Sequence, residues 1–409
     1  MYNGRSLASL REFIVFLLCG FILVDMVNGV LLRLGFTSVS VVYKTAVLAL
    51  VMLYMSKSRS FLLIVSAMVL TVLGYLLFHA TLFSEMVGAF KSSDWLVKYF
   101  SIIIFYLFFC RLVFEGKGTL IFTVASYAIF FLTLNFIIGF LGLGYPMYGN
   151  EENAIGTKGL IFAGNEITAS IVISGGIVQM KLIQESRYIQ FLLVGLLMLF
   201  MGALLTSKVS LLAPILTTLF FPLIKSSEKL NVLKVSKKDF GSSALIIMII
   251  PGIAFSFGYY ALFQSNLMER LTYFYERVDV ITLIFSRRNI WASDAIDVFV
   301  SLYSLPEVVL GTGLSWFQLV PDGKMVEIDF LDFLMAYGLL GVVISYGFVG
   351  LKVLDLLGSK NNPYFGYILF LILLVVAMSL SSGHIFNSGV AGALIGALFA
   401  STKLQKVEA

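Results

Sequence analysis

Positions 189–205 read IQFLLVGLLMLFMGALL, positions 206–208 read TSK, and positions 211–224 read LLAPILTTLFFPLI. Neither apolar run contains a charged residue, and only a short turn separates them. A bilayer core is roughly 30 Å thick, so a membrane-crossing helix needs about 20 mostly apolar residues. The first run comes close to that length. The second is shorter and fits a helix with little tilt or a partly re-entrant one. Directly after them comes Lys225 to Asp239, which carries Lys225, Lys229, Lys234, Lys237 and Lys238. A basic loop beside a span marks the cytoplasmic side. Span, tight turn, span and basic loop together read as part of a multi-pass membrane protein.

Composition agrees. Of 409 residues, 59% are hydrophobic and 12% charged, against roughly 25% charged in soluble domains. A soluble fold could not cover that much apolar surface; a bilayer removes the need. Cys19 and Cys110 lie inside apolar runs and read as small buried hydrophobes. His79 and His384 are too few and too far apart to suggest a metal site. The net charge of +5 is distributed as an orientation signal, which argues against a nucleic-acid partner.

Twelve spans follow from the same criterion: 13–32, 41–55, 61–78, 96–113, 120–141, 161–180, 189–205, 211–224, 244–263, 330–351, 364–380 and 389–400. The second, eighth and twelfth are short. The first is followed by Arg33 and by no small-residue cleavage site, so it reads as an uncleaved anchor. The majority of the 28 Lys and Arg fall in connections on the N-terminal side, and most acids fall on the other. Both termini are therefore expected in the cytoplasm. The chain divides into nine spans over 1–263, one large outer loop over 264–329, and three spans with a short tail over 330–409. The expected fold class is an all-α polytopic membrane protein of about 12 transmembrane helices with a large periplasmic loop between spans nine and ten. Within that loop helical spacing is expected over 266–285 and over 288–302, forming a small cap.

Charged residues gather at the outer side. Ser286 to Trp291 reads SRRNIW, with Arg287 and Arg288 beside Trp291. Paired guanidiniums suit a phosphate, which they bind as a fork; pairing with Asp294 and Asp297, with Trp291 as an interfacial anchor, fits equally well. Lys208 sits in a short outer turn, against the positive-inside trend. Glu327, Asp329 and Asp332 lead into the tenth span, and Asp329 and Asp332 share a helix face. They are either helix caps or proton acceptors. Ser382 to Ser388 reads SGHIFNS and forms a polar break around His384. Gly156, Gly159, Gly164, Asn165 and Glu166 precede the sixth span, where glycine permits close approach and Asn165 suits a cap. Asp25 and Lys44 lie within adjacent spans and are expected to pair.

Taken together these pieces resemble the superfamily of O-antigen ligases and O-antigen or capsular polysaccharide polymerases. The resemblance covers the whole chain in topology. It is carried by Gly156–Gly159–Gly164–Asn165, by Leu205 to Lys208, by Arg287 to Trp291, by Gly311 and Gly313, by Glu327 and Asp329 before Tyr337-Gly338-Leu339-Leu340-Gly341, and by Gly383-His384. The chain departs from the ligase branch at two places: Glu327 and Asp329 stand where ligases usually have His-Asn, and Lys208 stands where Arg is usual. The first departure favours a polymerase. The resemblance implies a metal-independent glycosyltransferase of the inner membrane without a cofactor. It would join polyprenyl-pyrophosphate-linked oligosaccharide units at the periplasmic face, in O-antigen or capsule synthesis. Asp329, Glu327 or His384 would act as base. Arg287, Arg288, Lys208, Trp291, Asn165 and Arg277 would hold pyrophosphate and glycan. Implied partners are the lipid-linked oligosaccharide, membrane lipid and a chain-length regulator protein. Alternatives are a ligase transferring glycan to the lipid A core and a flippase for the lipid-linked unit.

Overall fold

A computed structural model of the chain describes residues 4–82, 86–149, 155–226, 252, 279, 282, 285–359 and 361–405. All but residue 252 of the expected ninth span, all but 279, 282 and 285 of the expected helix over 266–285, and Arg277 lie outside the described residues. So does most of the basic loop after Lys225.

The helices are α1 (Gly4–Cys19), α2 (Phe21–Arg33), α3 (Val39–Met55), α4 (Arg59–Leu82), α5 (Met86–Phe114), α6 (Thr119–Ile138), α7 (Asn165–Gln184), α8 (Tyr188–Leu205) and α9 (Lys208–Ser226). After the undescribed stretch come α10 (Arg288–Leu302), α11 (Leu305–Leu310), α12 (Asp329–Gly358), α13 (Phe365–Ser381) and α14 (Gly392–Ala400). Among the described residues seven helices are long and apolar enough to cross a membrane, or eight if a bent pair counts as one. Helices are the natural outcome for such sequences, since each satisfies its backbone polar groups internally where lipid offers no partner.

The expected first span is that bent pair. α1 and α2 meet at 50° around Gly20, and Tyr43 donates a hydrogen bond of 2.7 Å to the Leu17 carbonyl at the break. A side chain entering the helical ladder next to glycine is an ordinary cause of a kink. The expected pairing of Asp25 with Lys44 is present: the Lys44 ammonium lies 2.6 and 2.8 Å from the two carboxylate oxygens. A charge at that depth is costly unless paired.

α7 is the hub. It packs against α6, α8, α9, α13 and α14, and 83% of its spanning window is buried, against 17% for α4 at the periphery. Its sequence is suited to the role: Gly175 lies against the Met198 side chain and Gly176 against Leu371, where any β-carbon would collide. α14 packs mainly on α5, and each of its nine residues is buried. At ~1.5 Å per residue it is about 14 Å long, half of a bilayer core.

Two features were not anticipated. Tyr145–Tyr148 and Ile155–Gly159 form a two-stranded antiparallel hairpin, β1 and β2, where a helix start was expected. The Asn135 amide of α6 settles the matter: it donates to the Lys158 carbonyl (2.9 Å) and accepts from the Leu160 N–H (2.7 Å), meeting the backbone groups a helix would have bonded internally. Second, α12 breaks at Gly338. The break frees the Met335 and Ala336 carbonyls, which accept hydrogen bonds from the Thr312 and Gly313 N–H groups at 3.2 and 3.0 Å. Tyr303, which follows α10, adds a bond of 2.9 Å to Met335. The segment from Tyr303 to Gly313 is thus fastened to the break in the long helix.

Candidate functional site

α12 begins at Asp329, and three residues at this start have different fates. Glu327 keeps 41% of its side chain exposed. Asp329 is 1% exposed and Asp332 is fully buried, so the shared face expected from their spacing is the buried one. Asp329 does not cap its own helix. Its Oδ2 accepts the N–H groups of Ile385 and Phe386, both at 2.9 Å, and so holds the turn that follows α13. Asp332 accepts the Val326 N–H at 3.2 Å, which bends the incoming chain back onto the helix. Asp329 Oδ1 and Asp332 Oδ2 are buried with no hydrogen-bond partner among the described residues.

The turn held by Asp329 carries Gly383 and His384. Gly383 has φ +60°, and a β-carbon there would collide with the Glu327 backbone; only glycine lets the two chains touch. His384 follows in the same left-handed region at φ 57°. Its ring meets Trp95 edge-on at 5.7 Å, and its Nδ1 lies 3.4 Å from the Asn387 amide nitrogen.

Arg288 ties these pieces together. It is the first residue of α10, and it donates to Glu327 Oε2 at 2.7 Å, to the Ser381 carbonyl at 2.7 Å and to the Ser382 carbonyl at 3.5 Å. The pairing with Asp294 or Asp297 that spacing allowed is not what forms. Asn165, the first residue of α7, donates to the same Ser382 carbonyl, so it serves as an inter-helix tie and not as a cap. Glu166 beside it accepts from the Ser388 hydroxyl at 2.8 Å. One carbonyl at the end of α13 therefore gathers α7 and α10, and α12 joins them through Glu327.

The remaining candidates flank this clasp. Arg287 is exposed, sits in the left-handed region at φ 69°, and has no ion-pair partner among the described residues. Lys208, at the start of α9, reaches the Ser286 hydroxyl at 3.4 Å, which brings the short turn after α8 up against the arginine pair. Trp291 donates to Asp322 at 3.0 Å, and Lys324 lies over its ring at 5.6 Å. Behind this turn Gly156 of β2 abuts Thr206. Lys158 in the same hairpin is half-buried, and burial lowers its pKa below the usual lysine range.

Six non-glycine residues among the described ones have φ between 54° and 69°. Five of them are Thr206, Ser286, Arg287, Glu327 and His384, all in this cluster. Left-handed backbone at non-glycine positions costs of order 1 kcal/mol each and concentrates at functional sites. The cluster thus combines cations (Arg287, Arg288, Lys208), an accessible carboxylate and an imidazole at one end of an apolar bundle. Sequence reasoning did not find the Ser381 and Ser382 carbonyls, Asp322 or Trp95. Backbone carbonyls have no sequence signal, and Asp322 lies in a stretch without periodicity.

These features define the chain as a membrane-embedded, predominantly helical protein with a strained, charged cluster at one end of its helices. Comparisons with protein-family models, with curated proteins and with solved structures found no match to it.

Proposed function

We propose that the chain is a polymerase that joins polyprenyl-pyrophosphate-linked oligosaccharide units at the periplasmic face of a bacterial inner membrane, with both termini in the cytoplasm. The observation that carries this reading is the convergence of Arg287, Arg288 and Lys208, from two distant parts of the chain, beside Glu327 and His384. In the reaction a hydroxyl oxygen of the incoming unit attacks the anomeric carbon of the donor chain. The bond from that carbon to the phosphate oxygen breaks, and polyprenyl pyrophosphate leaves with the electron pair. Negative charge grows on the leaving oxygen, and guanidinium and ammonium groups held in place beforehand stabilise it. The hydroxyl proton passes to a base. Glu327 and His384 are accessible enough to take it. Asp329, buried on two backbone N–H groups, acts by holding the His384 turn in position.

The test is the profile of lipid-linked oligosaccharide in a strain lacking the gene. Accumulation of single units, with no long chains, is the expected result. Long chains made but not transferred to the lipid A core would make the protein a ligase, and absence of any unit outside the cytoplasm would make it a flippase.

A further inference from the structure

The bundle has a second charged concavity at its other end, away from Arg288. The N-terminal part of α1, the end of α3 and the end of α5 enclose a cavity of about 520 Å³ lined by Arg11, Tyr54, Lys57, Arg111 and Glu115 among others. Glu115 is shared: it accepts from Arg11 at 3.2 Å, from Arg111 at 2.7 Å and from the Tyr54 hydroxyl at 2.9 Å. Arg111 uses only its Nε in that bond and is 58% exposed. Lys57 is exposed and makes no ion pair among the described residues. Arg11 Nε is buried without a partner among them. Glu12, 3.5 Å from Arg11, points outward and is 72% exposed. Three cations against Glu115 and the outlying Glu12 leave the cavity with an excess of positive charge.

An apolar track leads into it. Val42, Ala46, Ala49 and Leu53 are all exposed and recur at helical spacing along α3, so they form one outward stripe, and Lys57 lies just beyond its end. A ligand with an anionic head and a long apolar tail matches both halves of this surface. We propose that this cavity binds the phosphate headgroup of an anionic phospholipid, with an acyl chain lying along the α3 stripe. A basic stretch at a span end also serves as an orientation signal, but orientation needs no cavity and no shared carboxylate to space the guanidiniums.

The experiment uses the full-length protein in detergent, delipidated and then titrated with phosphatidylglycerol, with phosphatidylcholine or with inorganic phosphate, with bound lipid counted by native mass spectrometry. Phosphatidylglycerol is expected to bind well ahead of phosphatidylcholine, and inorganic phosphate at tenfold excess to leave it bound. The double variant Lys57→Gln/Arg111→Gln is expected to lose roughly thirtyfold in affinity, each surface cation contributing about fivefold. If the double variant does not fold, Lys57→Gln alone, which breaks no ion pair, is expected to lose about fivefold. Equal binding of the two lipids, displacement by phosphate, or unchanged affinity in the folded variant overturns the proposal. None of these outcomes depends on whether the protein polymerises glycan.

Discussion

The two ends of the helix bundle solve opposite problems with the same side chains. At one end a single guanidinium, Arg288, serves one carboxylate and two backbone carbonyls. At the other a single carboxylate, Glu115, serves two guanidiniums and a phenol. Arg288 keeps only 16% of its side chain exposed, whereas Arg111 keeps 58%. The first arrangement commits both terminal nitrogens of one cation to tying three segments together. The second leaves cations in excess and open to a ligand. Being arginine beside a carboxylate therefore does not decide a residue's role; the ratio of donors to acceptors around it does. By that measure Arg288 builds the cluster, while its neighbour Arg287 is the guanidinium left exposed.

The largest expected effect is on stability at Arg288. Arg288→Leu leaves the Ser381 carbonyl and Glu327 without their partner and should destabilise the protein by roughly 2 kcal/mol, since it removes charge-assisted hydrogen bonds from a mostly buried guanidinium. Arg111→Leu should cost under about 1 kcal/mol, as exposed pairs do. Chemical unfolding of the purified protein measures both; similar losses would erase the distinction between the two ends.

Next comes activity. Arg287→Ala should leave unfolding within about 0.5 kcal/mol of wild type while slowing glycan extension ten- to a hundredfold, the worth of one charge-assisted contact. Arg287→Lys should recover only part of this if the contact is a bidentate fork. The assay is turnover of purified enzyme with a lipid-linked unit. Normal rates in both variants would move the substrate anion away from Arg287.

The smallest effect is one of pH. Desolvation raises the Glu115 pKa, but hydrogen bonds from Tyr54, Arg111 and Arg11 outweigh it and hold the group below the usual glutamate range. A depressed carboxylate contributes stability above its unfolded pKa and loses it as pH falls through the folded value. Wild type should therefore melt above Glu115→Gln at pH 7, and the gap should narrow below about pH 4. A gap that stays constant would mean that Glu115 stabilises by packing and not by charge.

What the sequence showed of this molecule follows from where the physics is local. Apolar length is local, so the positions of the long apolar helices among the described residues were legible. The helix expected over 288–302 forms between those same residues. Asp25 and Lys44 were legible as a pair because neither survives alone in lipid. The bend at Gly20 was not, since its cause is Tyr43, more than twenty residues away. The β1–β2 hairpin was not, since it depends on the Asn135 amide. The candidate residues were visible as charges gathered on one side, but their division of labour was not. Asp329 and Glu327 look interchangeable in sequence; only the backbone N–H groups of Ile385 and Phe386 separate a staple from an accessible carboxylate.

The nine-residue helix α14 has a consequence for how the molecule is made. A segment of that length buries too little surface to enter a membrane on its own, and the Ser388 hydroxyl before it accepts the N–H groups of Val390 and Ala391 while donating to Glu166 of α7. Its slot, formed by α5 and α7, exists only once those helices are in place. α14 is thus a wedge that seats only after α5 and α7 have packed against their neighbours, and its nine buried residues close the bundle from within.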